Sequence, residues 1–243
     1  MSRTGWGMKF DYIIIHESGH EWFANNITYK DIADMWIHEG FTTYSENLYL
    51  DYHYGKQASS EYVIGTRRGI SNTKTIIGKY DVNREGSGDM YSKGANLLHT
   101  IRAICGDDEK WRNILRGLNK EFYHKTVTTK EIENYISKSM NVDLSKVFNQ
   151  YLRDVRIPIF EYEINEGELK YRWSNVIPGF DMPLDVSLDN KSINFELLLK
   201  IAQQAFMPLG YGGGIKTLDE VKKLYRIGYE KVIFNSAFIE NPD

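Results

Sequence analysis

One cysteine, Cys105, stands in 243 residues, so no disulfide can close within the chain. That fits a reducing compartment. No apolar run reaches membrane-spanning length. The first seven residues, Met-Ser-Arg-Thr-Gly-Trp-Gly, lack the apolar core of a signal peptide, so a cytoplasmic setting is the default expectation. Neither sign of charge dominates. The net charge of −3 gives no reason to expect nucleic acid or an anionic membrane as partner. Internal repeats and low-complexity segments are also lacking. What is present is apolar and aromatic: 42% hydrophobic residues, 14% aromatic, 17 tyrosines. That is enough to bury a sizeable core, in one large domain or two smaller ones.

Against this plain background one pentad stands out, His16-Glu17-Ser18-Gly19-His20. Residues four apart on a helix share nearly one face, so His16 and His20 can grip a single metal ion. Glu17 lies about 100° round the helix, able to reach a metal-bound water without ligating the metal. The apolar run before the pentad predicts a buried helix, where unpaired polar groups are costly and a metal would satisfy them. Zinc takes three protein ligands at a catalytic site and leaves the fourth position to water. Glu39, eighteen residues beyond His20, is the candidate third ligand. Two helices joined by a short loop would bring it to the histidines.

The pattern predicts a first helix from Lys9 or Phe10 to Asn25 and a second, capped by Asp31 or Asp34, that Gly55 ends. A helix is expected over 58–69, then a turn-rich loop over 78–88 and a helix from Tyr91 that Gly106 closes. Shorter helices follow over 109–122, 129–139 and 144–152, with Thr128 and Glu131 spaced as a capping box. Trp22, Trp36, Phe41 and Tyr44 are expected in the core. His38 is expected at the surface or behind the ligands rather than on the metal. Beyond Pro158 two alternating runs about Asn165-Glu-Gly predict a β-hairpin. From about Ser187 the order turns α-β-α-β: helix 193–205, a strand at 207–210, a glycine loop at 211–215, helix 217–227 and a strand from Lys231, as in a parallel sheet.

These residues resemble the glutamate-zincin aminopeptidases, the family of aminopeptidase N and the leukotriene hydrolase. The resemblance rests on His-Glu-x-x-His, on Glu39 in Glu-Gly-Phe41, and on Tyr91-Ser-Lys-Gly-Ala95, in the family's order. It covers about residues 1–155, with the hairpin beyond. It implies an α+β fold with a mostly helical, thermolysin-like zinc peptidase lobe. It implies one Zn2+ held by His16, His20 and Glu39, a peptide substrate, and Glu17 as the base that activates water. The Tyr91 hydroxyl would stabilise the oxyanion. The family's Gly-x-Met-Glu-Asn stretch, which holds the substrate amine, has no counterpart before His16. The expectation is therefore an N-terminally truncated lobe with impaired turnover.

The run Met207-Pro-Leu-Gly-Tyr-Gly-Gly-Gly-Ile-Lys-Thr-Leu218 and the segment Gly228 to Pro242 resemble the cyclase subunit of imidazole glycerol phosphate synthase. That family is a (β/α)₈ barrel, and the resemblance places Gly213, Gly214, Asn235 and Ser236 at a phosphate site. Only about two β/α units are present, so a partial barrel with unpaired strand edges is expected. The organisation read from sequence is 1–155 peptidase lobe, 156–186 hairpin segment and 187–243 barrel fragment, a chimera joined near 183–190. The alternative functions are a phosphate-binding cyclase fragment and a non-catalytic, zinc-stabilised remnant.

Overall fold

The computed structural model describes residues 4–165, 168–184, 210–212, 215, 217–227, 229 and 231–233. The chain divides into two compact units, Met1–Val155 and Arg156–Asp243. The fold is α+β, with helices dominating the first unit.

In the first unit, helix α1 spans Tyr12–Gly19, and Asp11 caps it by accepting from the amides of Ile13 and Ile14. It is shorter than the apolar run predicts. At Phe23 and Ala24 the backbone leaves helical geometry within a wide turn, Glu21–Asn26, that leads into strand β1, Ile27–Tyr29. A second departure concerns burial. Tyr12, Ile13 and Ile14 are 40%, 53% and 61% exposed, so α1 is a surface helix, and Trp22 is exposed rather than core.

Helix α2, Trp36–Tyr54, is the core element, with Trp36, Ile37, Phe41, Tyr44 and Leu50 all buried. Asp31 caps a short 3₁₀ turn, Ile32–Asp34, just ahead of it, and Gly55 stops it with a positive φ. Helix α3, Lys56–Thr66, follows at once. Helix α4, Asp89–Cys105, ends at Gly106 in the left-handed conformation that glycine adopts without a Cβ penalty. Helices α2 and α4 touch backbone to backbone. A Cβ added at Gly94 would lie 3.1 Å from the Gly40 Cα, and one added at Gly40 would lie 3.1 Å from the Met90 carbonyl oxygen. This approach carries Tyr91, on the first turn of α4, towards the first turn of α2, which holds Glu39.

The rest of the unit completes the core. Helix α5, Asp108–Glu121, is capped by Asp107. Strand β2, Lys125–Val127, pairs in parallel with β1. Helix α6, Thr129–Met140, carries the capping box expected of Thr128 and Glu131. Helix α7, Ser145–Arg153, closes the unit. Buried polar groups are knitted together: Trp36 Nε1 donates to Thr129 Oγ1 at 2.7 Å, and the Thr129 and Tyr80 hydroxyls both donate to Asp34.

In the second unit, β3, Ile159–Asn165, and β4, Glu168–Ser174, form the expected antiparallel hairpin. Strand β5, Gly210–Gly212, starts on the last residue of the expected strand and runs into the expected glycine loop. Helix α8, Leu218–Arg226, has a Thr217–Glu220 capping box, and β6 is Lys231–Ile233. β5 and β6 are parallel, in the sheet order β4-β3-β5-β6. β5 is paired on one side by β3 and on the other by β6, so among the described strands β4 and β6 are the outer ones of this sheet. The backbone donors and acceptors of β5 thus find partners on both sides. The predicted helix 193–205 and the residues 207–209 lie outside the described residues, as do Gly213, Gly214, Asn235 and Ser236.

Candidate metal centre

The local sequence explains how the site is drawn together. Gly19, between the two histidines, is the one buried residue of α1. A Cβ there would meet the Thr42 side chain at 3.1 Å and Ser45 Oγ at 3.2 Å, so α1 lies directly on α2 at this point. His16 on α1 and His20 at its C-terminal cap then face Glu39 on the first turn of α2. The His16 Nε2 to Glu39 Oε2 distance is 3.1 Å, and His20 Nε2 to the same oxygen is 3.7 Å. One ligand atom from each of the three residues can be chosen so that all lie within 4.8 Å of one another.

Two imidazoles and a carboxylate suit zinc. Tetrahedral bonds of about 2.0–2.1 Å put ligand atoms roughly 3.3 Å apart, and the two measured separations bracket that spacing. The donor orientation fits as well. His20 Nδ1 is 3.2 Å from the Phe23 carbonyl oxygen, to which only an N–H can donate, so its Nε2 is left for a metal. The break in helical geometry at Phe23 is what turns that carbonyl towards the ring. His16 Nδ1 lies 3.0 Å from Glu46 Oε1, and its Nε2 also lies 3.2 Å from Thr42 Oγ1.

The electrostatics follow from these contacts. Burial lowers the pKa of His16, but the carboxylates of Glu39 and Glu46 more than offset it and hold the imidazole at about 9. Burial works to raise Glu39, yet the His16 hydrogen bond and the neighbouring histidine charges leave it below the usual carboxylate range. His38 is not one of the three converging residues, although its ring lies edge-on to that of His20 with centroids 6.5 Å apart. Burial, with His20 nearby, pushes it down to about 4, and its Nε2 accepts the Tyr29 backbone N–H at 3.1 Å.

Tyr91, 39% exposed, stacks on His16 with ring centroids 5.9 Å apart. Burial, and then the charge of Glu39, raises its phenol, so it stays protonated and able to donate. Glu17 is exposed on α1, open to water. Of the five residues picked out in this unit from sequence, His16, His20 and Glu39 meet around one point, Tyr91 stacks on His16, and Glu17 lies exposed on α1. Glu46 and Tyr62 were not picked out. Glu46 stands seven residues after Glu39, two turns along one face of α2, and that spacing is the one sequence signal for it.

This is a helical lobe that brings the two histidines of His-Glu-x-x-His and a following glutamate to a common point. The chain belongs to peptidase family M1, whose domain matches residues 7–151. Residues 182–243 match a second family, the histidine biosynthesis proteins, so the chain is a chimera of two unrelated families. It is similar to Aminopeptidase 2 of Candida albicans, 25% identical over 170 residues, covering 65% of this chain and 18% of that one. It is also similar to an imidazole-4-carboxamide isomerase of Dehalococcoides mccartyi, 45% identical over 60 residues, covering 25% of each. A crystal structure of an M1 zinc metallopeptidase from Deinococcus radiodurans superposes with a TM-score of 0.52 at 20% identity, over 61% of this chain and 34% of that one. The chain thus spans a quarter or less of the length of these two curated relatives. Among the described residues no helix is long and apolar enough to cross a membrane.

Proposed function

We propose that residues 1–155 form a zinc-dependent peptidase lobe that hydrolyses peptides in the manner of an aminopeptidase. In this reading residues 156–186 are a hairpin segment and 187–243 a barrel-derived segment. The observation that carries it is the convergence of His16, His20 and Glu39 with ligand atoms within 4.8 Å. His16, His20 and Glu39 would hold one zinc ion. When bound, zinc supplies Lewis acidity, lowering the pKa of water to about 7 and polarising a carbonyl. Glu17, exposed beside the ligands, takes a proton from the attacking water and delivers it to the leaving amine. Tyr91, over His16, donates its hydroxyl to the oxygen on which negative charge develops. Such a donor is worth about 3–4 kcal/mol of barrier.

Glu17→Gln separates chemistry from metal binding. The variant is expected to keep zinc, measured by elemental analysis, while hydrolysis of aminoacyl nitroanilides falls about 10²–10⁴-fold. Turnover at the wild-type rate in this variant would overturn the assigned mechanism. Zinc at one per chain in the wild type without any turnover would favour the non-catalytic remnant.

A further inference from the structure

We propose that Glu46 and Tyr62 act as a positioning pair for the metal centre, fixing the ring of His16 so that its Nε2 is the ligating atom. The inference rests on the metallopeptidase reading and extends it from the ligands to what holds them. Glu46 is 4% exposed and Tyr62 2%. A carboxylate so buried is expensive unless its oxygens are satisfied, and here they are divided between two donors. Oε1 accepts the His16 Nδ1–H at 3.0 Å, and Oε2 accepts the Tyr62 hydroxyl in a short hydrogen bond.

The division has a consequence at His16. Both of its nitrogens are flanked by carboxylates of one helix face, Glu46 at Nδ1 and Glu39 at Nε2. Only Glu39 belongs to the triad that can surround an ion. Glu46 requires a proton on Nδ1, which leaves the Nε2 lone pair as the one a metal can take. Tyr62, reaching across from α3, ties down the far oxygen and stops the carboxylate from swinging out of the ring plane. The two histidines are therefore unequal. His20 is oriented by a neutral carbonyl at Phe23, and His16 by a charge that makes its ring the stronger donor.

The test is the zinc affinity of the full chain, measured by competition with a chromogenic chelator. Glu46→Leu is expected to weaken zinc binding about 10- to 100-fold. Glu46→Gln, which keeps an acceptor, should recover part of that loss, and Tyr62→Phe should lose a few-fold. Thermal unfolding of the metal-free variants checks that each is folded. In the ¹H–¹⁵N spectrum of the zinc-loaded wild type, a protected, downfield Nδ1–H of His16 is expected; it should exchange away in Glu46→Leu. A merely structural role would lower the thermal stability of the folded variant without weakening its zinc affinity. Unchanged affinity and an unchanged Nδ1–H signal in folded Glu46→Leu overturn the proposal. If that variant does not fold, the same two results in Tyr62→Phe overturn it. A wild type that takes up no zinc, or a His16→Ala variant with wild-type affinity, defeats the metallopeptidase reading itself and the proposal with it.

Discussion

Helices α1 and α2 share the candidate metal centre, yet they are built in opposite ways. α1 is eight residues long, carries the run Tyr-Ile-Ile-Ile, and leaves most of it in solvent. α2 is nineteen residues long and buries polar groups, Thr42, Thr43, Glu46 and Asn47, among its aromatics. The longer helix is the frame, and its buried polar side chains orient the site. The shorter helix is a lid of ligands laid on the frame at Gly19. An apolar run is therefore a poor guide to burial here: a surface keeps much apolar area, and a buried polar group is the more informative sign.

That contrast is broken most directly at the frame. The close approach of Gly40 and Gly94 leaves no room for branched side chains between α2 and α4. Gly94→Val is expected to lower stability by about 3 kcal/mol, the upper end for overpacking, in a urea titration of the metal-free protein. Zinc affinity should fall with it, because Glu39 and Tyr91 sit on the two helices being forced apart. A variant as stable as wild type would show that the frame yields easily and that α2 is no more fixed than α1.

What the sequence makes legible follows the same division. The convergence of His16, His20 and Glu39 was readable because helical spacing pairs the histidines and a short connection between two helices brings the carboxylate to them; Tyr91 was singled out through a family resemblance. Glu46 offered only its seven-residue spacing from Glu39, and Tyr62 offered nothing, because its contact needs α3 packed beside α2, a tertiary fact with no local signature. The end of α1 was misjudged because the apolar pattern continues through Trp22 and Phe23 although the backbone turns away there. The capping box at Thr128 and the glycine stop at Gly106 were legible because both act within a few residues. The β3–β5 pairing was not, since strand register is set by partners far along the chain.

A second, smaller effect tests the frame by pH. His99 on α4 is buried near Tyr44 of α2, and burial, aided by the charges of Arg102 and Arg67, holds it at about 3. Its folded pKa lies below the ordinary 6.5. The unfolded chain therefore takes up a proton as pH falls through 6.5, while the folded chain does not until about 3. Stability should be lost across that window by about 1.4 kcal/mol per pH unit once the pH is below about 6. Urea titrations between pH 7 and 5 should show a slope steeper than this, because His38 at about 4 adds a loss of the same sign, and His99→Gln should be shallower by about 1.4 kcal/mol per pH unit. Equal slopes would mean that His99 titrates freely and that the frame admits water there.

The smallest effect is expected on the lid. Ile14 is 61% exposed on α1, and its carbonyl accepts the Ser18 hydroxyl at 2.7 Å, a bond that does not involve its side chain. Ile14→Lys should therefore change stability by no more than about 0.5 kcal/mol, as for other surface substitutions, and leave zinc affinity as it was. Urea unfolding and chelator competition would read both. A loss several times larger would mean that the outer face of α1 is packed in solution. The lid would then be a second buried element, and the contrast between the two helices would rest on length alone.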